Sequence, residues 1–379
     1  MAGLAACVFF NMNTAFAQLS GQDLEKNPIS TAVPFLTITP DARHAGMGDV
    51  GVATDPTPNS TFYNVGQLAF NKPKNGLSIS YTPWLGKLIN DSYVAYLSGY
   101  SKIGEEQAVG YFFRYFEVGR IEFRDVNNNP TGEGNPTEFA LGASYSRKMS
   151  DRLSLGVTLR YIYSDLGDGL EDVSPGSTAS TDIGLYYTKP IFRNGLENKF
   201  SWGVAISNIG GKISYVDEGQ KNFLPTNLKL GTAYKMQLDH YNSITLALDL
   251  NKLLVPTPEV VEENNQTVRR VSDKSALGGM FSSFGDAPFS EELKEITLSA
   301  GAEYWYQEYF AARTGFFYEN DDKGGRKYVT LGIGARYQRL GLDFAYLYSL
   351  KQNHPLGETL RFTLLFNFGQ EAETESIVE

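Results

Sequence analysis

Two groups of residues in this 379-residue chain are of types that catalyse reactions or bind nucleotides. His44, His240 and His354 are the candidates for general acid–base chemistry, but no Ser/His/Asp set and no metal-ligand spacing surrounds them. Residues 46–51, Gly-Met-Gly-Asp-Val-Gly, match G-x-G-x-x-G, yet the strand and helix that a nucleotide site requires are not indicated beside it. We therefore predict no catalytic residue, no metal site and no cofactor.

Charged residues recur instead at alternating positions within apolar segments. They are Arg160, Asp249, Glu303, Arg313, Arg336, Asp343 and Arg361. If these segments are strands of a membrane barrel, the charges belong in the lumen, because Arg or Lys facing lipid costs about 2–4 kcal/mol at the midplane. Two interpretations remain open: an ion-paired lumen that grips an inner segment, or a polar path for transport.

The segments that hold these charges have a period of two, which is typical of strands. In residues 153–163, for example, Leu, Val and Tyr alternate with Ser, Gly, Thr and Arg. About fourteen such segments are predicted, at 76–84, 91–101, 107–125, 137–149, 152–165, 178–189, 198–209, 225–237, 241–252, 294–306, 309–319, 326–338, 340–350 and 358–368. Many are longer than the five or six residues usual in a soluble sandwich. The predicted fold is all-β, a transmembrane antiparallel barrel at 76–369.

The links between the segments support this prediction. Short links at 150–151, 238–240, 307–308 and 339 alternate with long ones, as periplasmic turns alternate with outer loops. Residues 190–197 are predicted to be longer than a tight turn, the exception on the inner side. The pattern predicts an outer-membrane protein with both termini in the periplasm and an acidic periplasmic tail at 370–379.

Residues 18–75 are predicted to form a linker followed by a plug inside the barrel. The stretch 41–70 is rich in Gly, Pro, Asn and Thr and has almost no aliphatic run, which indicates a compact segment with tight turns. The predicted plug residues are Arg43, His44, Gly46, Met47, Gly48 and Asn64.

Residues 1–17 are predicted to be a signal peptide, with an apolar core at 4–10 and Ala15-Phe16-Ala17 as the cleavage site. A lipoprotein box ending at Cys7 is the alternative. Cleavage after Ala17 removes the single cysteine, which excludes disulfides and thiolate chemistry from the mature chain. The net charge of −10 disfavours nucleic acid as a partner.

The longest link, 253–293, is predicted to be a loop without strands that either folds onto the barrel mouth or meets a partner protein. Its apolar residues Met280, Phe281, Phe284 and Phe289 would be costly to leave in water as a cluster.

A signal peptide, an amino-terminal plug and about fourteen strands together resemble the FadL family of outer-membrane barrels. More closely, residues 42–48 (ARHAGMG), 63–70 (YNVGQLAF) and the strand at 76–84 are similar to the PorV family of the type IX secretion system. One departure concerns Asn64-Val65-Gly66, where fatty-acid-transporting relatives carry Asn-Pro-Ala.

The resemblance implies a non-enzymatic role. Proteins of this family bind secreted proteins that carry a carboxy-terminal β-domain, the sorting domain, as these leave a large translocon barrel of the SprA/Sov type. They then shuttle the cargo to an attachment complex that contains a sortase-like protease. The implied partners are thus the translocon, the cargo, the attachment complex and outer-membrane lipids. A channel for small hydrophobic solutes is the alternative function.

Overall fold

The computed structural model of the chain describes residues 27–84, 91–124, 127–167, 173–215, 221–263, 266–351 and 358–369. The main body is a closed barrel of fourteen antiparallel strands, each paired with the next and the first with the last. Its strands are β1 (Asn75–Pro83), β2 (Tyr93–Ile103), β3 (Gln107–Glu117), β6 (Thr137–Lys148), β7 (Leu153–Asp165), β8 (Gly176–Arg193), β9 (Leu196–Gly210), β10 (Asn227–Gln237), β11 (Asn242–Leu253), β14 (Ile296–Tyr306), β15 (Phe310–Tyr318), β16 (Lys327–Tyr337), β17 (Leu340–Ser349) and β18 (Thr359–Phe368). The predicted signal peptide 1–17 and tail 370–379 lie outside the described residues.

The fourteen-strand antiparallel barrel predicted from the sequence is confirmed. Strand β7 illustrates why the period of two was readable: Ser154 and Thr158 are fully buried, while Leu155 and Val157 are 40% and 42% exposed. Small and polar side chains therefore point inward and apolar ones outward, as in barrels that cross a lipid bilayer. Among the described residues, no helix has the length and apolarity needed to span a membrane.

The predicted end of the third strand, at residue 125, is wrong. Strand β3 ends at Glu117, because Gly119 adopts a φ of 90° that breaks the extended backbone. The chain then forms a separate hairpin, β4 (Ile121–Arg124) with β5 (Pro130–Gly134).

The link at 190–197 is a tight turn after all. Strands β8 and β9 are joined by Asn194 and Gly195 alone, with φ of 53° and 75°, the geometry that a two-residue hairpin turn requires. Pro190 is tolerated within β8 because it lies beyond Tyr187, the last residue of β8 that pairs with β7. No backbone N–H is therefore needed at Pro190 on the side that faces β7.

The barrel has a short-turn end and a long-loop end, defined by the lengths of the links that close them. The first described residue, Asn27, lies at the long-loop end, where its side chain donates to the carbonyl of Pro258 at 3.5 Å. Gly369 lies at the short-turn end and accepts a hydrogen bond from Lys74 N. Asn27 and Gly369, the two ends of the described chain, are thus at opposite ends of the barrel. The prediction that both termini are in the periplasm concerns residues outside the described part of the chain.

The link between β11 and β14 is structured, and the prediction that it lacks strands is wrong. It contains the hairpin β12 (Glu259–Glu263) and β13 (Gln266–Arg270), followed by two short helices, α3 (Ala276–Ser282) and α4 (Phe289–Lys294). The helices α1 (Ala42–Ala45) and α2 (Ser60–Tyr63) belong to the amino-terminal segment, together with 3-10 turns at Pro34–Thr37 and Val65–Phe70.

Candidate functional site: the filled lumen and the long-loop surface

Residues 27–71, called here the inner segment, pack against the inward face of the barrel. At the long-loop end, Phe35 is fully buried and stacks on Phe116 with ring centroids 6.1 Å apart. The guanidinium of Arg114 donates to the carbonyls of Leu36 and Ile38. Apolar packing and a buried cation therefore hold the beginning of the segment across the barrel mouth.

Deeper in the lumen, helix α1 carries Arg43 into a network of buried charges. Arg43 makes two hydrogen bonds to Glu303, and Arg313 donates to the same carboxylate at 2.7 Å. Arg313 also reaches Asp343 at 2.8 Å, and Arg336 pairs with Asp343 at 2.7 Å. Two carboxylates and three guanidiniums thus alternate, so that each buried charge faces an opposite one.

The remaining predicted lumen charges act separately. Arg160 pairs with Asp182 at 2.5 Å, and Asp249 accepts hydrogen bonds from the backbone N–H groups of Gly51 and Val52. Arg361 donates to the Thr39 carbonyl at 2.7 Å. The structure therefore brings four of the seven predicted charges into one network with Arg43, while Asp249 and Arg361 bind the backbone of the inner segment.

The glycines of the 46–51 motif allow the backbone to approach the barrel wall. Gly48 has a φ of 72°, and a Cβ at this position would lie 2.6 Å from the backbone nitrogen of Phe316. Its own N–H donates to the Thr330 hydroxyl at 2.9 Å. At Gly46 a Cβ would lie 3.0 Å from the Cα of Gly332, and Met47 beside it is completely buried. The motif is a packing device here.

Asn64 fixes the second turn of the inner segment. Its amide nitrogen donates to the carbonyls of Val52 and Leu185, at 3.0 and 2.9 Å, and its oxygen accepts from Gly66 N. The Gly66 carbonyl in turn accepts from the hydroxyl of Ser154 at 2.6 Å. The Asn64-Val65-Gly66 sequence is therefore bonded both to its own segment and to the strands around it.

The structure does assemble a chain of the Asp–His–hydroxyl type, which the spacing in the sequence did not indicate. His44 Nδ1 lies 2.8 Å from Asp41, and His44 Nε2 lies 3.3 Å from the Thr54 hydroxyl. Thr54, however, has no exposed surface, and Asp41 is also held by the hydroxyl of Tyr63 at 2.9 Å. Because a substrate cannot reach the Thr54 hydroxyl at this depth, the hydrogen bonds among Asp41, His44 and Thr54 stabilise the fold of the inner segment.

Among the described residues, the inward-facing charges that were missed by the sequence analysis include Arg114, Glu138, Asp182, Lys199, Lys229 and Lys235. Each lies at an inward position of its strand, which was the signal available in the sequence. Glu138 is nearly fully buried and accepts a hydrogen bond from Ser164 at 2.6 Å. Lys229 lies over the ring of Phe62 at 4.5 Å.

At the long-loop end, the predicted partner residues separate into one buried side chain and three exposed ones. Met280 is buried, whereas Phe281, Phe284 and Phe289 are 71%, 53% and 78% exposed. Leu277 and Leu293, also exposed, each lie four residues from an exposed phenylalanine on α3 or α4. We call Leu277, Phe281, Phe284, Phe289 and Leu293 the loop patch. Each short helix therefore presents an i, i+4 apolar pair to solvent.

Comparison with known proteins decides the family. The family model described as type IX secretion system protein PorV matches residues 21–260, more than half of the chain. The chain belongs to the PorV family. It is an outer-membrane component of the type IX secretion system, and no curated protein sequence matches it.

Solved structures that match the chain include hydrocarbon channels and a FadL homologue. A deletion mutant of the TodX monoaromatic hydrocarbon channel is 11% identical, with a TM-score of 0.53 over 86% of this chain and 99% of that one. The Pseudomonas putida toluene transporter TodX is 12% identical, with a TM-score of 0.51 over 87% and 99%. A Pseudomonas aeruginosa FadL homologue, 12% identical, covers 90% and 100% with a TM-score of 0.46. At such identities the two TodX matches show that this PorV-family chain shares the fold of these channels.

Proposed function

We propose that this PorV-family barrel binds secreted proteins through their carboxy-terminal β-domain as they leave the translocon barrel, and carries them to the sortase-like attachment complex. In this proposal the long-loop end faces the cell exterior, and the cargo meets the loop patch. The observation that carries the proposal is the exposure of five large apolar side chains on two consecutive short helices and the turn between them. Such a cluster in water is typical of a binding surface.

Helix α4, which carries Phe289 and Leu293 of the loop patch, is held in place, and this favours binding. Lys252 donates to Glu292 at 2.8 Å and also to Glu295, while Lys323 bonds Glu291 at 2.7 Å and Glu295 at 3.0 Å. These ion pairs tie α4 to the end of β11 and to the β15–β16 link. A surface that is already ordered loses less conformational entropy when a partner binds.

The filled lumen supports the same proposal over a solute channel. We propose that the inner segment is a fixed stopper, because displacing it would separate Arg43 from Glu303 and leave a buried carboxylate short of a partner. Breaking a buried pair in this way costs about 3–5 kcal/mol. A FadL-like channel for small hydrophobic solutes is the alternative, since the similar structures include monoaromatic hydrocarbon channels. It requires an apolar path past these charges.

Deletion of the gene followed by surface proteomics tests the proposal. Loss of many surface-attached proteins that carry the terminal β-domain is expected, with restoration by the wild-type gene. Restoration by the double variant Phe281→Ser/Phe289→Ser is expected to be incomplete, whereas Phe192→Ser, which alters an exposed phenylalanine at the short-turn end, restores fully. Unchanged secretion combined with impaired growth on an apolar nutrient would reject the shuttle and favour the channel.

A further inference from the structure

The inner segment leaves the lumen at the short-turn end, beside the last described residue of the chain. Residues 71–74 lead from the lumen to β1, and Lys74 N donates to the carbonyl of Gly369 at 3.2 Å. Lys102 N, on β2, donates to the Lys74 carbonyl at 2.8 Å. The end of β18, the start of β1 and the end of β2 therefore meet at one point of the barrel rim.

This point of the rim carries several lysines. Lys72 and Lys74 are exposed, Lys102 is half-buried, and the half-buried Lys148 of β6 lies over the ring of Phe70 at 5.0 Å. We call these four the rim lysines. Among the residues that the structure describes, no ion pair joins Lys72, Lys74 or Lys148 to a carboxylate. Like charges on one side of the rim repel one another, so an anionic group placed there is stabilising.

The inner segment does not supply that anionic group. Residues 56–83, which include its second half and β1, contain no acidic residue. Asp55 lies on the opposite side of the barrel, where it pairs with Lys199 of β9 and Lys235 of β10. The carboxylate of the inner segment at this end is thus already used by two other lysines.

The neighbouring turns do not balance the rim lysines either. Their exposed carboxylates are Glu105 and Glu106 between β2 and β3, and Asp151 between β6 and β7. Two exposed guanidiniums, Arg147 and Arg152, lie beside Asp151 in the sequence. These five residues together contribute a net charge of −1, which leaves a net charge of +3 with the four rim lysines.

The sequence that follows Gly369 is acidic. Residues 370–379, called here the tail, contain no basic residue. Their glutamates are Glu371, Glu373, Glu375 and Glu379. Gly369 has a φ of 68°, which turns the backbone away from the direction of β18, and a Cβ at this glycine would lie 3.1 Å from the Cβ of Lys74. In an extended chain the first three glutamates share one face, and at about 3.3–3.6 Å per residue they reach the rim beside β1.

We propose that the tail folds back at Gly369 and binds the rim lysines, with its first three glutamates facing Lys72, Lys74 and Lys102. Each exposed ion pair of this kind is weak and is screened by salt. The tail is tethered next to its site, however, so binding is intramolecular and several weak contacts act together. Because the tail begins after β18 and Lys102 lies on β2, the bound tail crosses β1 and fastens the seam at which the barrel closes.

Carbodiimide crosslinking of the purified protein in detergent tests the proposal. The reagent joins a glutamate to a lysine that it contacts, forming an amide bond with loss of water, and mass spectrometry identifies the linked pair. We expect links between the tail glutamates and the rim lysines at low salt. They should become few at about 0.5 M salt, because screening then acts within a few ångström.

Acylation by a water-soluble succinimidyl ester measures how well the tail covers its site. The variant Glu371→Gln/Glu373→Gln/Glu375→Gln keeps the length of the tail and removes the three charges. In this variant Lys72 and Lys74 should be labelled about threefold faster than in wild type, the factor that corresponds to one exposed ion pair. Lys189, an exposed lysine of β8 far from β1, should react equally in both proteins.

Glu105→Gln/Glu106→Gln is the matched control, because it removes two neighbouring carboxylates and leaves the tail unchanged. It should label like wild type, and heat-modifiable migration on a gel establishes that each variant is folded. Absence of crosslinks to the tail, or equal labelling with and without the tail glutamates, would overturn the proposal. Faster labelling in the control variant alone would assign the rim lysines to the β2–β3 turn. Protection in membranes that is lost on purification, whatever the tail sequence, would assign them to a partner or a lipid headgroup.

Discussion

Arg43 and Glu303 face each other in the lumen as a bidentate pair, with Nε 2.9 Å from Oε2 and Nη2 2.8 Å from Oε1. They lie 260 residues apart in the sequence, one on the inner segment and the other on β14. Both side chains are almost completely buried. This pair joins the inner segment to the barrel wall more directly than any apolar contact can, because two parallel charge-assisted hydrogen bonds fix both distance and orientation.

Replacing Arg43 by Met is expected to destabilise the protein by about 3 kcal/mol, at the lower end for a broken buried pair because Glu303 keeps Arg313. The midpoint of urea unfolding in detergent measures the change. Lys189→Met, at an exposed position of β8, is the control and should be neutral. Equal midpoints for the two variants would show that the pair does not hold the segment.

Gly48→Ala is expected to cost more than Gly104→Ala, although both glycines have a positive φ, 72° and 70°. At Gly48 the new Cβ also meets the backbone of Phe316, whereas at Gly104 nothing lies within 4 Å. We expect a loss of about 1 kcal/mol at Gly104 from backbone strain alone, and about 1–3 kcal/mol more at Gly48 from overpacking. Unfolding midpoints compare the two, and similar losses would contradict the close approach.

The loop patch is expected to loosen in acid. Burial favours the neutral form of Glu295, but hydrogen bonds from Lys252 and Lys323 outweigh it and lower its pKa. Since the folded-state pKa is lowered, the stabilisation is fully present above the unfolded value of about 4.3 and is lost as pH falls through the lower folded-state pKa. Limited proteolysis of residues 276–294 should be slower in wild type than in Glu295→Gln at neutral pH. The difference should shrink as pH falls below about 4 and vanish once Glu295 is protonated in the folded protein, and a difference that does not shrink in acid would exclude Glu295 as the cause.

Phe281→Ser/Phe289→Ser should weaken binding of a purified terminal β-domain at least tenfold, because each apolar side chain buried at an interface contributes about 1.5–3 kcal/mol. Surface-immobilised cargo domain and detergent-solubilised barrel provide the assay. Phe192→Ser is the matched control, and both variants should unfold like wild type. Unchanged affinity would remove the loop patch from the binding surface.

The orientation of the barrel can be tested with cysteines, because the only native one, Cys7, lies within the predicted signal peptide. On intact cells a membrane-impermeant maleimide should label Phe289→Cys, at the long-loop end. It should label Phe192→Cys, at the short-turn end, only after the outer membrane is permeabilised. Both positions are more than 70% exposed, so accessibility on the isolated protein is comparable. The reverse pattern would invert the proposed topology.

The strands were predictable because alternation is local: a strand with one face to lipid and one to the lumen shows it within ten residues. The alternation along each strand also predicts that Glu303, Arg313 and Asp343 point into the lumen, and this prediction needs no information about the neighbouring strands. The tight turn at Asn194-Gly195 was also readable, since Asn-Gly is a strong hairpin signal. Pro190 masked it.

The contacts of the inner segment were not predictable from the sequence. Whether Arg43 meets Glu303 or another inward carboxylate depends on how the barrel closes, which no local pattern encodes. The Asp41–His44–Thr54 chain likewise depends on a turn that returns Thr54 to the histidine. Helices α3 and α4, of seven and six residues, are too short for a periodic signal and form because tertiary contacts hold them.

The pairing of β1 with β18 has a consequence for the order of assembly. The inner segment precedes β1 and is synthesised first, yet the wall that receives it includes Thr363 on β18, which accepts a hydrogen bond from Ala42 N. Arg361 on the same strand holds the Thr39 carbonyl. The docking site of the earliest part of the chain is therefore complete only when the last strand has closed the seam. Insertion into the membrane and seating of the inner segment become one late, cooperative event.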